Sequence, residues 1–528
     1  MTASCSPLPA RRAELLSRLA NSDRVDLIVI GGGATGLGVA LDAVLRGLSV
    51  VLLESHDFAK GTSSRATKLV HGGVRYLAQG NISLVREALH ERRTLLANAP
   101  HLASPLAFVM PGYACWETPF YGVGLKMYDA LAGRSGLGRT EFLSARQTQQ
   151  AIPGVQPRGL KGGVKYWDGQ FDDARLALAL ARTAAREGAL VLNYCEVTDF
   201  LHENGQVAGV RCRDTETGTD YQVRARCVVN AAGVWVDELR RKEGQAAGRP
   251  VQSMVAPSQG VHLVVNRDFF PGDQALLVPK TRDGRVLFAV PWLGKVILGT
   301  TDTPRNDIVY EPNPFQDEIA FILDEAGRYL SRAPSRADVS SVWVGLRPLV
   351  KPPADEAGAT RKISREHTVL VSSSGLVTVT GGKWTTYRAM AHDVLEKCRE
   401  TVLPAMASSS RTQQFPLVGA GSGLPARLIS QPPGLAAYGT EADAVTSLPG
   451  ADTVVAEGLT EAMVRFAARY EYARTVEDVL ARRSRRLFLD AREAARAAPR
   501  VATLLEQELD TPVTADDFIA LSTHYTLS

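Results

Sequence analysis

DLIVIGGGATGLG, residues 26–38, decides the fold of this 528-residue chain. The apolar run at 26–30 is typical of a strand that is buried on both faces of a parallel sheet. The glycines that follow, Gly31, Gly33 and Gly36, fit the pattern G-x-G-x-x-G. In that pattern glycine permits a tight turn, a close approach of the backbone to a pyrophosphate, and close packing of the next helix. We therefore predict a dinucleotide-binding strand–turn–helix unit, which we call the fingerprint.

The residues beyond the glycines complete this unit. A helix, VALDAVLRG, is followed by a strand, SVVLLE, which ends in Glu54, 23 residues after Gly31. This is near the offset of the carboxylate that binds a ribose hydroxyl. The free N–H groups around Ala34 and Thr35, at the start of the helix, are predicted to bind phosphate. The order strand, helix, strand and acid favours a dinucleotide site over a chance glycine-rich turn.

Composition excludes several classes of function. The chain has 45% hydrophobic and 22% charged residues and a net charge of +4, too weak and too evenly spread to indicate a nucleic-acid partner. Its six cysteines form no C-x-x-C pair and no Cys/His cluster, so no metal site is predicted. No run of about 18 apolar residues occurs, so no membrane-spanning helix is expected.

The segment that follows the fingerprint carries a family resemblance. HDFAKGTSSRATKLVHGGVRYLAQG (56–80) resembles the corresponding segment of FAD-dependent, aerobic respiratory glycerol-3-phosphate dehydrogenases, in the D-amino-acid-oxidase-like flavoprotein superfamily. Further similar stretches follow in the family's order: DDARLALALA (172–181), VVNAAGVWVDEL (228–239), GVHLVV (260–265), ILGTTDT (297–303), GLRPLV (345–350) and TGGKWTTYR (380–388). The resemblance covers nearly the whole chain.

The resemblance, together with the alternating and hairpin-like patterns at 260–266 and 286–302, implies the fold class. We predict an α/β protein: a Rossmann-like FAD-binding domain with an inserted antiparallel-sheet substrate domain and a C-terminal α-helical domain. The predicted boundaries are 1–24 for an N-terminal helix, 25–95, 155–240 and 345–402 for the FAD-binding domain, 96–154 and 241–344 for the substrate-binding domain, 403–440 for a linker and 441–528 for the helical domain. The arginines in residues 1–24 are also faintly typical of a mitochondrial presequence.

The same resemblance, with the motif logic, gives the cofactor site. Ser63 and Ser64 would supply hydroxyls to the pyrophosphate, and the backbone at Gly72 and Gly73 would approach the flavin ring. A helix beginning after Gly381-Gly382 is expected to face the flavin edge that becomes negative on reduction. The predicted FAD-binding residues are Gly31, Gly33, Ala34, Thr35, Gly36, Glu54, Thr62, Ser63, Ser64, Lys68, His71, Gly72, Gly73, Ala232, Gly233, Gly381, Gly382, Lys383 and Thr385.

Oxidation of a phosphorylated secondary alcohol requires a base and positive charge. We assign His262 as the general base, because a neutral imidazole accepts a proton near pH 7. Arg347 and Lys383 would orient the C2 oxygen, and Arg75, Tyr76 and Arg365 would bind the phosphate. The sequence is equally consistent with the reverse division, in which the first set binds the phosphate and the second set orients the C2 oxygen.

The predicted function is oxidation of sn-glycerol 3-phosphate to dihydroxyacetone phosphate at FAD, with electrons passed to a membrane quinone. The alternatives are an oxidase that uses oxygen, a related amine or amino-acid oxidase, and a non-catalytic flavin-binding protein. The resemblance implies a homodimer, attached peripherally to the inner, cytoplasmic face of the membrane. Because the chain shows no calcium-loop pattern, a bacterial origin is expected.

Two segments allow more than one interpretation. The aromatic-rich stretch 119–133 fits either a membrane interface or a protein core. The basic cluster Arg482, Arg483, Arg485 and Arg486 fits either anionic lipid or a solvated helix face.

Overall fold

The structure, a computed structural model, describes residues 6–77, 80–246, 248–351, 367–407, 409–421 and 427–527. The strands, in chain order, are β1 Arg24–Ile30, β2 Val50–Leu53, β3 Leu69–Val70, β4 Ala103–Gly112, β5 Glu141–Ser144, β6 Gly162–Phe171, β7 Leu190–Leu192, β8 Cys195–Glu203, β9 Gln206–Asp214, β10 Asp220–Asn230, β11 Val255–Asn266, β12 Ala275–Val278, β13 Leu287–Trp292, β14 Lys295–Gly299, β15 Thr303–Pro304, β16 Ser341–Val350, β17 Thr368–Val371, β18 Val377–Thr380, β19 Val454–Ala456 and β20 Leu459–Thr460. The α-helices are α1 Arg12–Ala20, α2 Ala34–Leu45, α3 Val74–Leu77, α4 Ile82–Asn98, α5 Glu117–Ala132, α6 Ala145–Ala151, α7 Asp173–Arg186, α8 Val236–Ala246, α9 Gln316–Tyr329, α10 Tyr387–Thr401, α11 Ala442–Thr446, α12 Glu461–Tyr470, α13 Arg486–Leu489, α14 Ala491–Leu509 and α15 Asp516–Thr523.

The first sheet is built around the fingerprint strand. Its central strands run in the order β18-β10-β1-β2-β7, and each neighbouring pair is parallel. Leu27, Ile28 and Val29 in β1 are fully buried because helices α2, α7 and α10 cover the sheet. The sequence-based prediction of a Rossmann-like sheet is confirmed.

The second sheet is mainly antiparallel and follows the order β15-β11-β14-β13-β12-β4-β6-β3, with β16 beside β11. The hairpin predicted at Leu293-Gly294 is confirmed, since Trp292 pairs with Lys295 and both turn residues have positive φ. The alternation in β11 also appears as expected. Val261, Leu263 and Val265 enter one core, whereas the ring of His262 packs on the other face against Trp343.

Three strands, β3 among them, join a different sheet from the one to which the sequence-based boundaries assign them. Residues 155–240 and most of β16 were placed with the first sheet, but β6 pairs with β4, and β16 pairs with β11 along ten residues. The reason is the partner strand, because local sequence predicts that a segment is a strand but does not reveal which sheet it joins.

The C-terminal part packs on the second sheet and on the fingerprint domain. Helices α12, α13 and α14 share a hydrophobic core with Trp292, Trp343 and Phe108. This confirms the predicted helical C-terminal domain. Among the described residues, no helix is both long and apolar enough to cross a bilayer.

The basic cluster near residue 485 is buried. Arg482, Arg483, Arg485 and Arg486 are each at most 5% exposed, so both interpretations of this cluster, as a lipid contact and as a solvated face, are wrong. Their carboxylate partners are Asp57, Asp173, Glu457, Glu477, Asp478 and Glu493. A buried guanidinium is tolerated only when it is paired in this way, so the cluster joins the C-terminal domain to the cofactor-binding domain.

Candidate active site

One cleft, with a cavity of about 430 Å³, runs along the carboxyl ends of β1, β10 and β18 and on to the second sheet. This position is where open α/β sheets bind nucleotides. The cleft has two ends. Glu54 and Glu196 line one, and His262 and Arg347 line the other.

The phosphate cradle lies at the start of α2. Gly31 has a φ of 109°, and a Cβ there would come within 2.7 Å of the carbonyl oxygen of Ala231, so only glycine fits. Gly33 is the N-cap of α2 and has no side chain to cap the helix. The Ala34 N–H donates to the Ser63 hydroxyl at 2.9 Å. Backbone donors and a helix dipole therefore meet at a point suited to a pyrophosphate.

Glu54 lies beside this cradle at the end of β2. Its carboxylate accepts hydrogen bonds from the backbone N–H of Gly32 at 2.6 Å and of His56 at 2.9 Å. Burial raises the pKa of Glu54, although these hydrogen bonds oppose the shift. Two donors hold the carboxylate where the fingerprint places its ribose-binding acid.

Two glycine-containing loops bring backbone to the middle of the cleft. Gly233 has a φ of 60°, and a Cβ there would meet nothing within 4 Å. Gly381 and Gly382 have φ of 85° and 72°. The Thr380 hydroxyl donates to the carbonyl of Gly233 at 3.0 Å and so ties the loops together.

His262 lies at the far end, on β11. It is 2% exposed, and its ring stacks on Trp343 with 4.0 Å between centroids. Nε2 lies 3.0 Å from the Thr67 hydroxyl, whereas Nδ1 has no hydrogen-bond partner among the described residues. Burial, reinforced by the positive charges of Arg347 and Lys68, lowers the pKa of His262 well below its usual value. The imidazole is therefore neutral at pH 7 and able to accept a proton.

Arg347 and Lys383 line the same cleft from different elements. The Arg347 guanidinium, on β16, donates to the carbonyl of Thr301 at 3.0 Å and approaches Asp302 at 3.2 Å. Lys383 is the N-cap of the short 3₁₀ turn Trp384–Thr386 that leads into α10. Three groups predicted from separate motifs thus line one space.

Most of the predicted cofactor residues line the cleft. They are Gly31, Gly33, Ala34, Thr35, Glu54, Thr62, Ser63, His71, Ala232, Gly233, Gly381, Gly382, Lys383 and Thr385. Gly36, Ser64, Lys68, Gly72 and Gly73 do not line it.

These five residues have other structural roles, which differ from one residue to the next. A Cβ on Gly36 would collide with the carbonyl of Gly31, so this glycine serves helix packing. The Gly72 N–H donates to the Tyr128 hydroxyl at 2.8 Å, and Gly73 provides a positive φ of 77° in the turn before α3. Neither glycine lines the cleft, and the flavin contacts predicted for this pair stay predictions.

Lys68 and Ser64 belong to a buried ion-pair network behind the cleft. The Lys68 ammonium donates to Asp173 at 2.7 Å and to the carbonyl of Ser64 at 2.6 Å, and that carbonyl also accepts from Arg485. The ammonium lies 4.5 Å from the ring centroid of Trp343. Burial lowers the pKa of Lys68 to about 7, although Asp173 opposes the shift. Neither residue lines the cleft, and the cofactor contacts predicted for both stay predictions.

The structure does not describe the side chains of the three predicted phosphate ligands. Arg365 lies outside the described residues, and the side chains of Arg75 and Tyr76 do as well, although α3 includes their backbone. Their roles stay predictions.

Sequence reasoning missed Thr67, Trp235 and Tyr310, all of which line the cleft. Trp235 lies inside a recognised motif, VVNAAGVWV, where an aromatic residue two positions after a glycine was an available signal. Tyr310 follows β15 of the second sheet, and no motif marks it.

Comparisons with known proteins agree with this geometry. A family model described as FAD dependent oxidoreductase matches residues 26–388, and a model of the C-terminal domain of alpha-glycerophosphate oxidase matches residues 410–513. The mitochondrial glycerol-3-phosphate dehydrogenase of Homo sapiens is 42% identical over 95% of this chain and 73% of its own length. The mitochondrial enzyme SDP6 of Arabidopsis thaliana is 40% identical over 96% of this chain and 86% of its own.

Solved structures show the same relationship. The glycerol-3-phosphate dehydrogenase of Bacillus halodurans, complexed with FAD, superposes with a TM-score of 0.74 at 29% identity and covers 97% of this chain and 95% of its own. A glycine oxidase from Geobacillus kaustophilus, at 19% identity and a TM-score of 0.54, covers 76% of this chain and all of its own and shows the shared fold alone. The chain therefore belongs to the family of FAD-dependent oxidoreductases and lies close to the glycerol-3-phosphate dehydrogenases within it.

Proposed function

We propose that the protein oxidises sn-glycerol 3-phosphate to dihydroxyacetone phosphate and passes the electrons to a membrane quinone. The observation that supports this proposal is that His262, Arg347 and Lys383 line the same cleft as the dinucleotide cradle. The names of the similar dehydrogenases support the choice of substrate.

The residues of the cleft fit FAD. The uncapped N-terminus of α2 suits a pyrophosphate, Glu54 suits a ribose, and the open backbone at Gly233 leaves room for a flat ring system. When bound, FAD supplies a hydride acceptor. Lys383 and the start of the segment that leads into α10 line the cleft and would stabilise negative charge on a reduced cofactor held there.

The side chains at the far end perform the remaining tasks. Neutral His262 accepts the proton of the C2 hydroxyl, and its stacking on Trp343 fixes the plane of the imidazole. Arg347 and Lys383 stabilise negative charge on the C2 oxygen, because their positive charges lie in a partly dry cleft. We keep Arg75, Tyr76 and Arg365 as the proposed phosphate ligands, since a dianion favours planar guanidinium donors.

An anaerobic experiment tests this proposal. Purified protein containing FAD is mixed with sn-glycerol 3-phosphate, and the absorbance of oxidised flavin is followed. Rapid bleaching is expected, whereas glycerol and glycine should leave the flavin oxidised. Failure of glycerol 3-phosphate to bleach the flavin would refute the substrate.

The electron acceptor is tested on the reduced protein. A soluble ubiquinone analogue should reoxidise the flavin faster than air does. The match of residues 410–513 to an oxidase domain keeps the oxygen-using enzyme as the second candidate. Rapid formation of hydrogen peroxide in air, with no response to the quinone, would favour that candidate.

We further propose that helix α5 attaches the protein peripherally to the inner face of the membrane. Trp116, just before the helix, and Phe120, Val123 and Met127 within it lie on one face and are 55–66% exposed. The opposite face, which includes Leu125 and Tyr128, is buried. The core interpretation of this stretch applies to the buried face, and the exposed apolar face supports the membrane proposal. Aromatic and aliphatic side chains on one exposed face are typical of interfacial helices. The homodimer stays a prediction.

A further inference from the structure

Three rings form a stack at the end of the cleft opposite His262. The rings of Trp235 and Tyr310 are nearly parallel, with an interplanar angle of 17° and 4.3 Å between centroids. The imidazole of His56 lies 4.1 Å from Tyr310 on centroids. Trp235 and Tyr310 both line the cleft together with Glu54 and Glu196. The stack therefore borders the part of the cleft that the fingerprint assigns to the AMP half of a dinucleotide.

Tyr310 reaches this position from the second sheet. It belongs to residues 303–315, which run from β15 to α9 and which we call the strap. At its start, the strap pairs with β11, where Thr303 is opposite Gln259. It then crosses to the first sheet, because His56 follows β2 and Trp235 follows β10. One segment thus links the sheet that carries His262 to the nucleotide end of the cleft.

The next residue, Glu311, fastens the strap. Its carboxylate pairs with Arg65 at 2.6 Å and with Lys60 at 3.3 Å, and it accepts a hydrogen bond from the Tyr525 hydroxyl at 2.8 Å. Lys60 and Arg65 flank Thr62 and Ser63, which line the phosphate cradle. The anchor of the strap and the cradle therefore belong to the same loop.

We propose that Tyr310 is a cofactor-binding residue that, together with Trp235, closes the AMP half of the FAD site, and that Glu311 is a positioning residue that holds it there. Stacked rings beside Glu54 exclude water from the ribose-binding carboxylate and provide an apolar wall for the adenosine. Burial keeps the phenol neutral, because it raises the pKa of Tyr310 to about 12. The proposal rests on the assignment of the cleft to FAD, not on the identity of the substrate.

The test measures FAD binding without substrate. Release of FAD from the diluted holoenzyme is followed by flavin fluorescence, and the dissociation constant is obtained by ultrafiltration. Tyr310→Leu should weaken FAD binding about tenfold, the loss expected for one aromatic wall contact. Tyr310→Phe should bind FAD like the wild type, because the ring stays in place.

The anchor is tested with a matched pair of carboxylates in the strap. Glu311→Gln should release FAD several times faster than the wild type, because its ion pairs are lost. Asp307→Asn is the control, since Asp307 pairs with Arg305 alone among the described contacts and is more than half exposed. If Glu311→Gln released FAD at the wild-type rate, the role of Glu311 as an anchor would be overturned. Near-ultraviolet circular dichroism checks that each variant is folded.

Binding of ADP tests whether Tyr310 acts on the AMP half of the FAD site. It should compete with FAD for the wild-type protein, and Tyr310→Leu should weaken ADP to the same extent as FAD. If Tyr310→Leu binds both ligands like the wild type, or weakens FAD but not ADP, the proposal is overturned. A wild-type protein that binds FAD but is not reduced by glycerol 3-phosphate would instead refute the proposed function and leave this inference standing.

Discussion

The environment of His262 determines its protonation more than its own chemistry does. The ring is buried, stacked on Trp343 and within electrostatic reach of Arg347 and Lys68. Each of these influences except the neutral indole disfavours the imidazolium, so the pKa lies below 6.5 before substrate binds. A phosphate dianion in the cleft acts in the opposite direction and restores part of the basicity.

Replacing His262 by Gln should lower kcat about 10²- to 10⁴-fold, the usual contribution of a general base. FAD content should not change, because His262 lies at the end of the cleft away from the nucleotide cradle. The rate of anaerobic flavin reduction and the flavin absorbance measure the two effects.

The pH profile offers a second check on the same residue. Because the pKa of His262 is lowered, the acidic limb of kcat/KM for the wild type should fall below pH 6.5. Thr67→Val, which removes the partner of Nε2, should move this limb while most of kcat is retained. If H262Q lost less than tenfold in kcat, or kept the acidic limb of the wild type, the base would be another group.

At the scale of elements, the helix α5 shows how one apolar stretch serves two surroundings. Its buried side completes the core under the second sheet, and its exposed side continues to Phe142, which is 46% exposed. Lys126 lies 5.1 Å from the ring centroid of Phe142, a basic and aromatic combination suited to lipid headgroups. The membrane proposal belongs to this face of the helix.

The double substitution Phe120→Asp and Val123→Asp should reduce binding to vesicles that contain anionic phospholipid by at least about tenfold. Each exposed apolar side chain contributes roughly 1 kcal/mol or more when it enters the interface. Co-sedimentation with the vesicles measures this change.

Val454→Asp is the matched control, because Val454 is 70% exposed in the β19 strand, outside the α5 face. It should sediment with vesicles like the wild type, and both variants should keep the reduction of flavin by substrate. Equal binding by the α5 variant and the wild type would locate the attachment elsewhere.

At the scale of the whole molecule, His101 lies at a contact between the N-terminal part of the chain and the segment that leads into the C-terminal helical domain. It follows α4 and packs against Gly419 and Gly439, two glycines of the segment that leads into the C-terminal domain. Burial, with the positive charges of Arg175 and Arg427, lowers the pKa of His101 to about 3. The native protein holds this imidazole neutral.

This shift predicts acid sensitivity. The unfolded chain binds a proton at His101 below about pH 6.5, but the folded protein does not until about pH 3, so stability falls as the pH is lowered between these values. The slope is roughly 1.4 kcal/mol per pH unit for one such histidine. His262 adds to the effect in the same direction.

His101→Gln should therefore lose less thermal stability than the wild type when the pH is lowered from about 7.5 to 5.5. The midpoint of thermal unfolding at the two pH values measures this difference. His524→Gln, at an exposed histidine, is the control and should behave like the wild type. An identical loss in H101Q and the wild type would show that His101 does not couple protonation to folding.

Local sequence was sufficient for the features whose geometry is local. The turn at Gly31, the start of α2 and the position of Glu54 follow from a tight turn and a helix N-terminus, which only certain residue types and spacings permit. The alternating faces of β11 follow from the two-residue period of a strand. These features predict the dinucleotide-binding unit and the face of β11 that carries His262, whereas the full fold class and the choice of FAD come from the family resemblance.

Only the tertiary structure decided which distant groups meet. The charges at Lys68 and Arg485 look exposed in sequence, but Asp173 lies far along the chain and pairs with both. Tyr310 joins the nucleotide end of the cleft only because the strap crosses between sheets. The physical reason is the same in each case: the environment of a side chain is set by long-range packing, which local periodicity does not encode.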